Sequence, residues 1–296
     1  MESMNMSYAF YREYLERCFQ GSPQDATSIN REILDIVNKT VRKTILDFGN
    51  RQVGYLGNCN CAQQTMQVMY PGAILGSGYP HEAGKLKGEI QSGFSFDHVT
   101  GAPFYPGSSV KGVIEDVFER AVSGRDVEKE GYMEYLTDLL KNKVKVITDA
   151  GVEKDAVAGL SQDEGSALLQ DVVKAVWNQS FRGEDEKRNT VISIRERDIF
   201  YDAYVTGAVQ GDIIGLDNIT PHPDPLKNPI PVTILRLMPG VQLTFSLKLS
   251  RLEFKRGDKT CRLGAEEKEA LYYEILEEFG IGAKTNLGYG QLKPIG

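Results

Sequence analysis

Residues 279–291 of this chain read Phe-Gly-Ile-Gly-Ala-Lys-Thr-Asn-Leu-Gly-Tyr-Gly-Gln, a glycine-rich loop with one lysine and no carboxylate. Its four glycines permit positive φ angles and a close approach of the backbone to a ligand. Lys284 supplies a positive charge, and the hydroxyl of Thr285 supplies a hydrogen bond. The stretch therefore predicts a loop that contacts phosphate groups.

A nucleotide-binding P-loop is the main alternative for this loop, but the sequence context differs. A P-loop follows a strand, opens a helix and carries glycine directly before its lysine. Here apolar residues at helical spacing predict a helix over residues 265–279, Gly280 falls at its C-cap, and Ala283 precedes the lysine. Residues 287–295 read as a strand. The order of elements is reversed, which disfavours hydrolysis of ATP or GTP.

A second segment, residues 103–114, has the same chemistry and reads Pro-Phe-Tyr-Pro-Gly-Ser-Ser-Val-Lys-Gly-Val-Ile. It is extended, marked by proline, and predicted to enter a helix that ends near Ala121, with Ser108 or Ser109 as the N-cap. Free N–H groups, two hydroxyls and Lys111 then converge at a helix N-terminus, which favours an anion. An ordinary serine-capped helix without a ligand is the alternative interpretation.

Together the two segments resemble the RAMP superfamily of CRISPR-associated RNA-binding proteins. Residues 105–112 are similar to that family's first-helix motif, and residues 280–290 are similar to its C-terminal glycine-rich loop. Within the superfamily, the chain most resembles the sixth Cmr subunit of type III-B effector complexes, on the basis of residues 280–290, 217–222 and 228–232. The resemblance covers residues 66–120 and 190–296.

The predicted elements follow the order strand, helix, several strands, helix, strand. This order fits the α+β class and a ferredoxin-like (RRM-like) fold, and the resemblance implies a RAMP domain with helical insertions and a proline-rich hairpin protrusion. We expect a single domain over residues 1–296. Its predicted parts are an N-terminal helical arm (1–60), the first strand and helix (61–122), a mostly helical insert (123–189), and the remaining strands, thumb-like excursion, second helix and glycine-rich loop (190–296).

Periodicity gives the approximate positions of these elements. Residues 65–75 are predicted to form the first core strand, and residues 164–181 a short helix of the insert. From residue 190 onward apolar alternation predicts strands, including one over residues 241–252. Prolines within residues 218–231 exclude a central strand or a helix there. Helical spacing places the N-terminal helices at residues 8–19 and 30–48.

Composition limits the function classes. The chain has 296 residues, a net charge of −7 and a pI near 5.2, which counts against a nucleic-acid binder. However, residues 99–114 and 279–296 contain no Asp or Glu, while residues 115–186 are rich in both. No leader or membrane segment is evident, so we expect a cytoplasmic protein that does not contact a membrane. No cofactor or metal is predicted, and the four cysteines are expected to be reduced thiols: Cys18, Cys59, Cys61 and Cys261.

The first functional hypothesis is a non-catalytic RNA-binding subunit of a type III-B effector complex. The resemblance implies that it holds the 3′ part of a CRISPR RNA, helps form one end of the complex and acts in antiviral interference. Implied partners are CRISPR RNA, target RNA, and the RAMP backbone subunit, the small helical subunit and the first Cmr subunit. The predicted RNA-binding residues are Ser108, Ser109, Lys111, Gly282, Lys284, Thr285, Asn286, Gly288, Tyr289 and Gly290.

Two of these assignments leave alternatives open. Tyr289 is expected either to stack on a base or simply to pack. The resemblance gives the proline-rich segment the role of a thumb that inserts between guide and target RNA, with Ile219, His222 and Leu226 as candidate residues. A surface loop stiffened by proline is the alternative for this segment.

Two other functions are compatible with the sequence. A guide-processing, metal-independent endoribonuclease needs a general base, and His81, His98 and Tyr79 lie between the first strand and first helix, with Lys85 and Lys87 nearby. The resemblance assigns metal-dependent cleavage to a different backbone subunit that uses an aspartate in that loop, where this chain has Asp97 without a specific match. A structural adaptor that never contacts RNA explains the acidic charge but leaves both lysine-bearing loops unexplained.

Overall fold

The computed structural model of the protein describes residues 5–20, 26–80, 86–97, 101–147, 153–185, 190–209, 211–220, 231–257 and 259–295. Apolar residues at helical spacing form α-helices. Some of these helices continue into π-helical turns, at residues 9–14, 36–41 and 177–182. The α-helices are α1 (Met6–Tyr8), α2 (Leu15–Gln20), α3 (Thr27–Asp35), α4 (Arg42–Asn58), α5 (Gly107–Ser123), α6 (Asp126–Leu140), α7 (Gln162–Val176) and α8 (Ala265–Phe279).

The strands form antiparallel and mixed sheets around these helices, so the protein has the expected α+β class. Two 3-10 turns, Ile194–Glu196 and Thr285–Leu287, complete the regular structure of the described chain. The strands are β1 (Ala62–Val68), β2 (Gly76–Pro80), β3 (Ile90–Phe94), β4 (Phe104–Tyr105), β5 (Lys145–Ile147), β6 (Glu153–Asp155), β7 (Glu184–Asp185), β8 (Thr190–Val191), β9 (Ile199–Phe200), β10 (Ala203–Ala208), β11 (Ile214–Ile219), β12 (Val232–Leu237), β13 (Val241–Lys248), β14 (Leu252–Arg256), β15 (Lys259–Leu263) and β16 (Leu292–Pro294).

The central sheet has the order β16-β1-β13-β10-β4, and β9 also pairs with β13. Neighbouring strands are antiparallel, with Thr65 of β1 and Tyr204 of β10 both opposite Thr244 of β13. The hydroxyl of Thr244 lies 2.8 Å from that of Thr65 and 2.8 Å from that of Thr206. One face of the sheet therefore carries a row of bonded hydroxyls.

Helix α4 covers this face. Its Phe48 meets the ring of Tyr204 edge-on at 5.5 Å, and its Asn50 donates to the carbonyl oxygen of Thr206 over 3.0 Å. Gly49 permits the contact, because a Cβ there would lie 2.0 Å from the carbonyl oxygen of Val205. The buried side chains of the N-terminal helices join the same hydrophobic core as the sheet, among them Phe10, Tyr14, Ile33, Val37 and Ile45.

Helix α8 is held by a buried ion pair. Nζ of Lys268 lies 2.8 Å from Oδ2 of Asp198, and both side chains are fully buried. Tyr272 donates to Asp198 over 2.8 Å, and Lys268 donates to Ser180 over 3.1 Å. Burial lowers the pKa of Lys268, and Asp198 opposes that shift. Both charges have partners, and removing either one would leave a buried charge uncompensated at the helix that leads into the glycine-rich loop.

A second sheet has the order β11-β12-β3-β2. Strands β11 and β12 are antiparallel, from Ile214 opposite Leu237 to Ile219 opposite Val232. The chain between these strands is the proline-rich segment, of which residues 221–230 lie outside the described residues. The strands on each side of the segment therefore pair with each other, although the segment itself is not described.

The acidic insert contains α6 and α7, as its helical spacing predicted, but also the short strands β5 and β6. These strands extend the hairpin of β14 and β15 into a third sheet, with the order β14-β15-β5-β6. The expectation of one strand over residues 241–252 was wrong, because β13 ends at Lys248 and the chain begins a new strand at Leu252. None of the helices in the described chain has the length and apolar character needed to cross a membrane.

The first core strand is also shorter than predicted. Strand β1 ends at Val68, and the chain turns at residues 69–72, where the N–H of Gly72 donates to the carbonyl oxygen of Met69 over 2.8 Å. Pro71 has no N–H to continue a ladder. Gly72 has a φ of 124°, and a Cβ there would lie 2.4 Å from the carbonyl oxygen of Leu237. The turn therefore requires glycine and ends the strand.

Candidate nucleic-acid interface

The glycine-rich loop begins where α8 ends. Gly280 has a φ of 69°, and its N–H donates to the carbonyl oxygen of Leu276 over 3.0 Å, which confirms it as the predicted C-cap. Lys284 also has a positive φ, 63°, and stands at the start of the 3-10 turn Thr285–Leu287. A non-glycine residue at positive φ costs about 1–2 kcal/mol. Contacts elsewhere in the loop must therefore hold Lys284 in this conformation.

The glycines of the loop pack against the protein's own backbone. A Cβ on Gly282 would lie 2.2 Å from the carbonyl oxygen of Ile74, and one on Gly290 would lie 1.8 Å from that of Ile281. Backbone hydrogen bonds lie beside these contacts: the N–H of Ile281 donates to the carbonyl oxygen of Gly290 over 2.9 Å, and that of Ala283 donates to the carbonyl oxygen of Ile74 over 2.9 Å. The sequence predicted a close approach of these glycines to a ligand. They instead approach the protein's own backbone, and these contacts give the loop a fixed shape.

The side chains at the tip of the loop face solvent. Lys284 and Asn286 are exposed, and Thr285 is half-buried. Lys284 makes no ion pair with any residue in the described part of the chain. Because residues 279–296 contain no carboxylate, the charge of Lys284 is not neutralised within its own segment. An exposed lysine of this kind suits a phosphate.

A tyrosine connects the glycine-rich loop to the segment before α5. The N–H of Gly282 donates to the hydroxyl oxygen of Tyr105 over 3.1 Å. Tyr105 lies in β4 and is 5% exposed, and burial raises its pKa while the bond from Gly282 opposes the increase. The two segments that were predicted to bind phosphate are thus joined directly, just before α5 begins at Gly107.

The N-terminus of α5 differs from the prediction. Pro106 occupies the N-cap position, so neither Ser108 nor Ser109 caps the helix. The first amide of the helix, that of Gly107, donates to Oδ1 of Asp202 over 2.7 Å. The serine cap was a wrong prediction, because a carboxylate distant in sequence supplies the acceptor. Ser108 is exposed and Ser109 is half-buried.

Lys111 is engaged within the protein. Its Nζ lies 3.4 Å from Oε2 of Glu115 and 5.9 Å from the centre of the Phe181 ring. The side chain of Lys111 is 34% exposed. Because Glu115 partly neutralises its charge, Lys111 is less available to a phosphate than Lys284 is.

Tyr289 packs inside the protein. It is 7% exposed, and its hydroxyl donates to Oδ2 of Asp217 over 2.7 Å. Burial and the bond to Asp217 raise the pKa of Tyr289 to about 12. Arg236 lies 2.9 Å from the same carboxylate oxygen and also donates to the carbonyl oxygen of Pro71. Of the two roles considered for Tyr289, packing is the one that its burial supports, and the residue ties the loop to β11.

The turn at residues 69–72 borders the loop on another side. The N–H of Met69 donates to the carbonyl oxygen of Gln291 over 2.9 Å, and that of Gly290 donates to the carbonyl oxygen of Gly72 over 2.7 Å. Tyr70, at the tip of this turn, is 82% exposed. Sequence reasoning missed Tyr70 because it extended the strand to residue 75. The Pro71-Gly72 pair was the signal that marked a turn there.

Comparison with known families identifies the chain. A family model described as the RAMP superfamily matches residues 65–293, which include every segment of the candidate interface. The chain belongs to the RAMP superfamily. The predicted family is therefore confirmed. Comparison with curated proteins gave no match.

Two solved structures show similarity to this RAMP protein. One is a chain of the type III-B Cmr-beta complex bound to cognate target RNA, at 17% identity and a TM-score of 0.50, covering 99% of this chain and 88% of that chain. Another is Cmr6 from Pyrococcus furiosus, at 17% identity and a TM-score of 0.40, covering 80% of this chain and 98% of that chain.

Several residues named by the sequence analysis lie outside the described residues, namely His81, Lys85, His98, His222 and Leu226. Of the candidate thumb residues, Ile219 is described. It is half-buried at the end of β11 and packs beside Ile74, Ile234 and Tyr289. Asp97 is also half-buried, and its N–H donates to the carbonyl oxygen of Ala102 over 2.8 Å.

A cavity of this RAMP protein lies away from the predicted RNA-binding residues. Among the described residues, no three His, Cys, Asp or Glu side chains are arranged to hold a metal ion. A cavity of about 670 Å³ lies between α7 and β14, and its lining includes Lys174, Asn178, Leu252 and Arg256. None of the predicted RNA-binding residues lines this cavity.

Proposed function

We propose that this chain is a non-catalytic RNA-binding subunit of a type III-B CRISPR effector complex. It holds the 3′ part of the CRISPR RNA through the phosphate backbone and forms part of one end of the complex. Sequence selection comes from base pairing between guide and target, because lysine contacts to phosphate carry no base information. The chain itself sets the position and register of the CRISPR RNA.

The exposed Lys284 on the anchored glycine-rich loop is the observation that carries this proposal. The loop is tied to three separate segments, through Ile74, Tyr105 and Asp217. A preorganised loop loses little conformational entropy when it binds, so one lysine and nearby hydrogen-bond donors are used efficiently. Asn286 is exposed and Thr285 half-buried beside it, and both are suited to hydrogen-bond phosphate or ribose oxygens.

The acidic net charge is compatible with this role because the charge is unevenly distributed. The loop segment has no carboxylate, and the nearby Asp217 is neutralised by Arg236. The carboxylates concentrate in residues 115–186, which include α6 and α7. We propose that this acidic region faces neighbouring subunits, with the RAMP backbone subunit, the small helical subunit and the first Cmr subunit as partners.

We also propose a ferredoxin-like core for the single domain. The chain order β1-α5-β10-β13-α8-β16 is β-α-β-β-α-β, and the sheet order places β1 and β13 at the centre. Strands β11 and β12 lead into and out of the proline-rich segment. Their pairing supports a hairpin that ends in a thumb, with Ile219 at its base and His222 and Leu226 within it.

The proposal is tested by the RNA that travels with the protein. The chain is co-expressed with candidate Cmr subunits and guide RNA, the assembly is purified, and its RNA is sequenced. We expect repeat-derived guides of defined length, lost when Lys111→Ala and Lys284→Ala are combined and retained with Lys154→Ala, an exposed lysine of β6. An intact assembly without RNA contradicts the proposal and favours a structural adaptor.

A further inference from the structure

Tyr70 is a large aromatic residue that the protein leaves in solvent. Tyr70 is 82% exposed, whereas Tyr289 of the glycine-rich loop is 7% exposed. An isolated exposed aromatic needs no explanation, but here this turn and the glycine-rich loop that touches it expose two further apolar residues. Met69 precedes it at 36% exposure, and Leu287 of the glycine-rich loop is 61% exposed. Together Met69, Tyr70 and Leu287 form what we call the apolar platform.

The platform is held in place by backbone contacts on both sides of Tyr70. Met69 donates to the carbonyl oxygen of Gln291 over 2.9 Å, and the carbonyl oxygen of Gly72 accepts from Gly290 over 2.7 Å. The carbonyl oxygen of Pro71 accepts from Arg236. The exposure of Tyr70 therefore does not come from a loose loop. The turn presents the ring while its backbone is fixed.

The turn that carries Tyr70 and the loop that carries the exposed Lys284 are in contact. The N–H of Leu287 donates to the carbonyl oxygen of Lys284 over 2.9 Å, which closes the 3-10 turn. A Cβ on Gly288 would lie 3.7 Å from Cδ of Pro71, so the loop and the Tyr70 turn are in contact. Tyr70 is also one of the groups that, after burial and Asp217, raise the pKa of Tyr289. These contacts bring the loop that carries the exposed Lys284 against the turn that carries the exposed Tyr70.

An exposed aromatic ring beside a phosphate-binding cation is the arrangement that single-stranded nucleic acid requires. The cation binds the backbone, and the ring stacks on an unpaired base without selecting its identity. A protein partner would also cover apolar side chains, but it does not account for the uncompensated lysine on a carboxylate-free segment. The observations therefore favour RNA as the occupant.

We infer that Tyr70 stacks on an unpaired base of the RNA strand whose phosphate lies at Lys284. This inference rests on the proposed function and adds a second, aromatic contact to it. Met69 and Leu287 then flank the stacked base. Since stacking displaces no counterions, the contribution of Tyr70 is independent of salt, unlike that of Lys284.

The test measures binding of the purified full-length chain to a fluorescent polyuridine RNA by anisotropy over a range of salt concentrations. We expect Tyr70→Leu to weaken binding about tenfold with an unchanged salt slope, because it removes the stacking ring but keeps an apolar side chain. Tyr70→Phe should bind like the wild type. Tyr55→Leu, at an exposed tyrosine of α4, is the matched control and should have no effect.

Each remaining outcome decides between this inference and the proposed function. If Lys284→Ala weakens binding but Tyr70→Leu does not, the stacking inference is wrong and the proposed function stands. If the wild-type chain does not bind RNA, or neither variant changes its binding, the proposed function fails and the inference fails with it. If Tyr70→Leu leaves RNA binding intact but prevents assembly with other Cmr subunits, the platform is a protein-docking surface and the inference is overturned.

Discussion

The hydroxyl oxygen of Tyr105 accepts a hydrogen bond from the backbone N–H of Gly282 over 3.1 Å. This bond joins two segments that are far apart in sequence, the strand before α5 and the loop after α8. Both segments lie within residues 65–293, which the family model of the RAMP superfamily matches. Because the two segments are in direct contact, the shape of the glycine-rich loop depends on the position of β4 and of the helix that follows it, α5.

Removing this hydroxyl should loosen the loop. We expect Tyr105→Phe to lower the free energy of unfolding by about 1 kcal/mol, the usual net contribution of one hydrogen bond. RNA affinity should fall several-fold because Lys284 is then less well positioned. Urea unfolding and RNA anisotropy measure the two effects. Tyr55→Phe is the control, and an unchanged RNA affinity in Tyr105→Phe would show that the bond does not position the loop.

The glycines of the loop should differ in their tolerance of alanine. Gly288 has a φ of 88° with no atom nearer than 3.7 Å to a built Cβ, so Gly288→Ala should cost about 1–2 kcal/mol from backbone conformation alone. Gly290→Ala should cost clearly more, because its Cβ would lie 1.8 Å from a carbonyl oxygen. Thermal unfolding measures the difference.

Gly54 provides a matched control for the alanine series. It lies in α4 with nothing within 4 Å of a built Cβ. Gly54→Ala should stabilise the protein by about 0.5–1 kcal/mol, because alanine is the better helix former. Equal destabilisation by Gly288→Ala and Gly290→Ala would contradict the close packing of Gly290 against Ile281.

Tyr289 should make part of the free energy of unfolding depend on pH. Its pKa is raised from 10.0 to about 12 in the folded protein. A raised pKa stabilises the folded state fully below the unfolded value, and this stabilisation is lost as the pH rises through the folded value. Tyr289→Phe should therefore be less stable than the wild type near neutral pH, by about 1.5 kcal/mol for a bond to a charged acceptor.

The difference between Tyr289→Phe and the wild type should shrink between pH 10 and about 12. Urea unfolding at a series of pH values measures it, and Tyr55→Phe again serves as the control. A difference that is constant over this range would mean that the hydroxyl of Tyr289 does not retain its proton through the bond to Asp217.

Local patterns in the sequence predicted the elements that depend on neighbours along the chain. Helix α8 runs from Ala265 to Phe279 as its apolar spacing indicated, and Gly280 closes it. Helix α5 follows the proline-marked segment. These features were predictable because helical periodicity and a C-cap glycine are decided within a few residues.

Features that depend on distant residues were not predictable in this way. The N-cap of α5 was assigned to a serine, but Asp202 supplies the acceptor from another segment. Tyr289 is buried, and its hydroxyl donates to Asp217. Nothing near Tyr289 in the sequence indicates either its burial or its partner. Strands β5 and β6 are short, and they exist because β5 pairs with β15 and β6 pairs with β5, so alternation within three residues cannot reveal them.

The measurement that tests the central claim most directly is the salt dependence of RNA binding by Lys284→Ala. The central claim is that the exposed Lys284 contacts an RNA phosphate. The variant should bind RNA more weakly for all sequences, and the slope of log affinity against log salt should fall by about one unit. Lys154→Ala should leave both quantities unchanged. A Lys284→Ala variant with unaltered affinity and slope would contradict the assignment of the glycine-rich loop as the phosphate-binding element.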